Sequence, residues 1–137
     1  MSGIAEGELI METDEFIRLV QAALQNGDDK PATKGDVLRA IGAILRTLGE
    51  VLQPKQIQQL MATLPPEIGT LLFQTETNKH DTLNEFFHHV AAREGTTLPF
   101  AIHHSRIVIA VLQRAIPSDV LQTFRAQLPH EFAPLFQ

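Results

Sequence analysis

Two pairs of adjacent histidines, His88-His89 and His103-His104, come nearest to chemistry in this chain of 137 residues, with His80 and His130 standing alone. A zinc site needs about three or four converging nitrogen, oxygen or sulfur ligands. The pairs fall on segments consecutive in sequence. Antiparallel packing would therefore bring one histidine of each pair together, with Glu85 or Asp81 adding a carboxylate. The spacing speaks against it. Adjacent histidines lack the i, i+4 separation that sets two ligands on one helical face. In addition, Leu83, Phe86, Phe87 and Val90 define a buried face from which His88 and His89 point away. The expectation is no metal and no cofactor, with His88, His89, His103 and His104 kept as the alternative. His104 shares a face with Phe100, Val108 and Val111. It is expected to be half-buried and to bond a nearby carbonyl or carboxylate, the sharper alternative being a pH-sensitive group.

The remaining residues offer less. Cysteine is absent, which excludes disulfides, thiol catalysis and thiolate metal sites. Glu67 and Glu131 each follow a Leu-Pro pair, where a carboxylate suits the start of the next helix. Asp28-Asp29 hints at calcium, but EF-hand alternation is missing and Pro31 intrudes. The glycines are isolated, so they form no phosphate-binding loop. Ser2, Ser105 and Ser118 lie outside any nucleophile-elbow pattern. No nucleophile, base and orienting group occur as a set, and the reading is not an enzyme. Sixteen acidic residues against eleven scattered basic ones give a net charge of −5. That balance argues against nucleic acid or anionic membrane as partner. The opening MSGIAEGELIMETDEF carries acids and lacks the form of a signal peptide. No apolar run reaches the ~20 residues of a membrane span. The expected location is the cytoplasm.

The elements that must position these residues are written twice. Ala62-Thr63-Leu64-Pro65-Pro66-Glu67 recurs as Ala126-Gln127-Leu128-Pro129-His130-Glu131, and Leu72-Phe73-Gln74 as Leu135-Phe136-Gln137. Leu48 meets Leu112, Leu52 meets Ile116, and Glu15-Phe16 with Val20 meet Glu85-Phe86 with Val90. Such self-similarity marks a repeated structural unit. Phe16, Leu19, Val20 and Ala23 fall on one helical face. Thr82 and Glu85 form a capping box, and Gly27 and Gly95 stand where left-handed residues would end the first helix of each copy. A long helix begins near Thr33, a third near Pro54 or Ser118, and a short last one after each Leu-Pro. Ile107–Leu112 would suit a strand by itself, but its partner Ala43–Leu48 has helical spacing. As a helix it is apolar nearly all round, which implies burial inside the monomer or in a dimer face.

The expected fold is all-α: a bundle of about eight short helices made of two tandem copies with pseudo-two-fold symmetry. Residues 1–12 read as a leader, 13–74 as the first copy, 75–81 as a linker and 82–137 as the second. A half of about 60 residues is marginal alone, so the copies are expected to share one core. Asp14–Val20, the long helix Leu38–Leu52 and the Ala-x-Leu-Pro-x-Glu…Leu-Phe close of both copies resemble bacterial domain-of-unknown-function family 2267. That resemblance implies a small helical bacterial protein and assigns no activity to any residue. The expected function is a non-catalytic interaction or regulatory module with a protein partner, self-association into a homodimer included. The alternative is a metal- or small-ligand-binding protein using the second copy's histidines or a pocket between the copies.

Overall fold

In a computed structural model of the chain, residues 11–27, 33–73 and 82–136 are described. They form α1 (Thr13–Gly27), α2 (Lys34–Val51), α3 (Pro54–Met61) and α4 (Pro66–Gly69), which runs into a 3-10 turn, Thr70–Leu72. The second half supplies α5 (Leu83–Glu94), α6 (Leu98–Ala115), α7 (Ser118–Gln127) and a closing 3-10 segment, His130–Phe136. No strand occurs among the described residues, and Ile107–Leu112 lies inside α6. None of the described helices is long and apolar enough to cross a membrane.

Local chemistry accounts for the helix ends. Thr33 Oγ1 accepts the Asp36 N–H at 3.1 Å while the Asp36 carboxylate accepts the Thr33 N–H at 3.3 Å. Thr82 and Glu85 repeat this exchange at 3.1 and 3.2 Å. Each box satisfies two backbone donors that a helix start leaves without intrahelical partners. Gly95 ends α5 in the left-handed region at φ 74°, a conformation that costs glycine nothing sterically. Gly27 departs from the sequence expectation. It is the last helical residue of α1 rather than the stop beyond it. The expected leader up to residue 10, the linker 75–81 and the Asp28-Asp29 loop lie outside the described residues.

Packing crosses between the halves as well as within them: α5 lies against both α2 and its own half's α6, and α1 against both α6 and α2. Helix α1 packs on α6 and α5 packs on α2, so the first helix of each half covers the second helix of the other. Helices α2 and α6 touch at the centre, and α3 meets α7. Each half then lays its own closing turn on its own long helix: Thr70–Leu72 on α2 and His130–Phe136 on α6. This arrangement buries much of the apolar face of α6, though Phe100 stays 48% exposed. Val108, Ile109 and Leu112 are fully buried, as are Ile44, Leu45 and Leu48 at the matching positions of α2. The closing turn of the first half comes so near α2 that a Cβ at Gly49 would stand 2.1 Å from the Leu72 carbonyl oxygen. Only a glycine permits that approach.

Because α2 and α6 each take part of their cover from the other half, neither half is expected to complete its core alone. Residues 1–78 and 79–137, produced separately, are expected to lack a cooperative thermal transition and to regain it on mixing. A half that melts alone near the temperature of the full chain would contradict the exchanged packing.

Candidate functional site

The two histidine pairs have different environments. His88 and His89 are exposed on α5, whereas His103 and His104 are half-buried on α6. Among the described residues no three His, Asp or Glu side chains gather closely enough to hold one metal ion. His80 and Asp81 lie outside the described residues. His104 Nδ1 bonds Glu94 Oε2 at 2.6 Å, and the Phe100 ring stacks on its imidazole at 5.9 Å between centroids. Glu94 is only 8% exposed. A carboxylate on Nδ1 fixes the ring's orientation and tautomer, as in general-base pairs. Adjacent Ser105 does not extend it: that serine is fully buried, and neighbouring helical residues do not face one another. Glu94 Oε1, His103 Nε2 and Ser105 Oγ are buried without a hydrogen-bond partner among the described residues. The pair ties the end of α5 to α6. In the first half the matching residues are Leu24 and Ala40, both buried and apolar.

A second polar cluster joins the halves. The Arg93 guanidinium on α5 pairs with the Glu50 carboxylate on α2, and its Nη1 donates to Thr47 Oγ1 at 3.0 Å. The Thr47 hydroxyl donates in turn to the Ala43 carbonyl at 2.7 Å. Glu50 is 2% exposed, and a carboxylate this buried stays ionised only beside a cation. The sequence reading did not single out this cluster. A signal was present: Ala43, Thr47 and Glu50 follow i, i+4, i+7 spacing, which sets a polar pair on the buried face of α2.

Arg93 also stands at the edge of a groove of about 610 Å³ between α1, α2, α4 and α5. One wall is a single stripe of α2 in which Arg39, Gly42 and Arg46 stand at i, i+3 and i+7. The floor is apolar, built from Ile17, Ile41, Ile68 and Leu71. Leu38, 45% exposed, lies on the rim. Gly42 leaves the wall open: a Cβ there would meet nothing within 4 Å. Glycine inside a helix is about 1 kcal/mol less favourable than alanine. At Gly49 the Leu72 carbonyl explains that cost, whereas no described residue explains it at Gly42. Arg39 pairs with Asp36 at 3.6 Å, with both side chains more than half exposed, a geometry worth little in water.

Thr13 and Glu67 close the far end of the groove. The Thr13 hydroxyl donates to Glu67 Oε1 at 2.6 Å. In the second half Glu131 Oε1 accepts the Leu83 N–H at 2.7 Å. Each glutamate after a Leu-Pro therefore reaches the first residue of its own half's first helix, a partner the sequence reading did not foresee. The Thr13 hydroxyl, followed by the backbone N–H of Glu67 itself, holds the Glu67 carboxyl below the ordinary glutamate range.

Two expectations follow. His104→Ala should leave the buried Glu94 carboxylate without its partner and lower the unfolding free energy by about 1–3 kcal/mol in denaturant titration. Adding Glu94→Leu, which copies the Leu24–Ala40 pair of the first half, should recover most of that loss. For Glu67 the folded-state pKa is depressed, so its contribution is present above the unfolded-state value and fades as pH falls through the folded one. Carboxyl resonances followed by NMR should show Glu67 titrating below the ordinary glutamate range and moving upward in Thr13→Val.

A comparison with curated proteins returned no match. A sequence profile described as "Uncharacterized conserved protein (DUF2267)" matches residues 13–135, from the first residue of α1 into the closing 3-10 segment. With the match spanning both halves and every described helix between them, the chain belongs to the DUF2267 family.

Proposed function

We propose that this protein is a non-catalytic binding module and that the groove between α1, α2, α4 and α5 is its working face. The observation that carries this reading is the convergence of Arg39, Arg46 and Arg93 over an apolar floor in a chain of net charge −5. Binding sites typically combine such an apolar lining with a few placed polar groups, in volumes of about 300–1,000 Å³. The groove draws most of its wall from the first half and Arg93 from the second, in keeping with a pocket between the copies. On α6, by contrast, Val108, Ile109 and Leu112 are buried within the monomer, while Phe100 stays 48% exposed.

Methyl-labelled full-length protein, screened by NMR against a mixed set of small carboxylates, amines and alcohols, tests the reading. Perturbations are expected to cluster on Ile17, Ile41, Ile68 and Leu71. Clustering on α6 beside Phe100, or an absence of perturbation across the set, would count against the groove.

A further inference from the structure

We propose that the groove takes a small organic anion, a carboxylate carried on a short apolar chain. This inference rests on the groove being the binding face. Three arginines line it, with Glu67 the one carboxylate among the described lining residues; Glu67 accepts from Thr13, while Arg39 keeps an exposed pair with Asp36 and Arg93 its pair with Glu50. Arg39 and Arg46 project from one stripe of α2, separated by about 10 Å along the helix axis. Gly42 stands between them with open space where a side chain would be. A ligand can therefore approach the helix surface between two guanidinium groups. Arg93 comes from the facing helix and is held in place by Glu50 and Thr47. Both of its terminal nitrogens are engaged in this way, which fixes the guanidinium at the edge of the groove.

The size points to a small molecule rather than a protein segment. The arginine wall spans about two helical turns, whereas a standard protein interface covers about 800 Å² on each partner. The apolar floor of Ile17, Ile41 and Leu71 accounts for the ligand's body, since hydrophobic contact needs area but no particular group. The glycine contrast points the same way. Gly49 is bare because Leu72 packs on it, while the space above Gly42 holds no described atom within 4 Å. A glycine that weakens its helix fits a face that something outside the fold must approach.

Octanoate, octan-1-ol and octylammonium, titrated into the full chain and followed on the groove methyls, separate the parts of this proposal. Octanoate should bind about tenfold or more tightly than either of the others. Arg39→Gln with Arg46→Gln should cost octanoate a similar factor and leave octan-1-ol unchanged. Gly42→Leu should abolish binding of both while the protein melts no lower, because the new Cβ meets nothing within 4 Å and leucine favours the helix. Equal binding of octanoate and octan-1-ol would overturn the anion assignment and leave the groove standing. Octanoate binding undiminished by Gly42→Leu would overturn the groove and the anion together. Failure of octanoate, with groove shifts produced instead by a helical peptide carrying Glu and Leu, would replace the small molecule with a protein partner and overturn the inference.

Discussion

Helices α2 and α6 meet at the centre of the molecule, and each is covered by the first helix of the opposite half. Much else depends on this exchange. It buries Val108, Ile109 and Leu112 without a second subunit. The closing turns must then lie on the remaining sides of α2 and α6. On α2 the space is so limited that Leu72 packs directly onto the backbone at Gly49. On α6 the equivalent position is Gln113, whose amide reaches the Phe136 carbonyl at 3.4 Å. The same approach is achieved by bare backbone in one half and by a side-chain hydrogen bond in the other.

The two halves are alike in their apolar positions and unlike in their polar ones. Phe16 and Phe86, Val20 and Val90, and Leu48 and Leu112 are buried alike. Where the second half has Glu94 and His104, the first has Leu24 and Ala40. The Arg93–Glu50–Thr47 cluster joins α5 to α2, yet the matching positions between α1 and α6 hold Ala23, Arg114 and Val111. A paired charge adds little stability over well-packed apolar residues but penalises every arrangement that separates it. The cluster ties α5 to α2 through a buried ion pair that has no counterpart between α1 and α6.

The groove is a product of the same asymmetry. Arg39, Gly42 and Arg46 correspond to His103, Arg106 and Ala110 in the second half. Arg93 enters the groove only because α5 lies across α2. Glu67 and Glu131, by contrast, serve matching ends: each carboxylate is bonded at the start of its half's first helix. A carboxylate there favours the positive end of the helix and links the last segment of the half to its first.

The sequence by itself determined the helices, the order of elements and the repeated Leu-Pro-x-Glu closures. Capping residues such as Thr82 and Glu85, prolines at helix starts and apolar spacing act over a few residues and can be read locally. Those local rules also carried Ile107–Leu112 as a helix, through its partner Ala43–Leu48, although its β-branched content favours a strand. They misplaced the end of α1, which includes Gly27 as its last residue. Tertiary structure alone decided which helices meet. Apolar faces of similar size do not specify their partners, so the exchange of α1 and α5 was not legible, nor was the groove that needs Arg93 beside Arg39 and Arg46. His104 was foreseen as half-buried and bonded, because burial follows from its helical face. The meeting of Arg93 with Glu50 across 43 residues depended on a packing direction that no local spacing encodes.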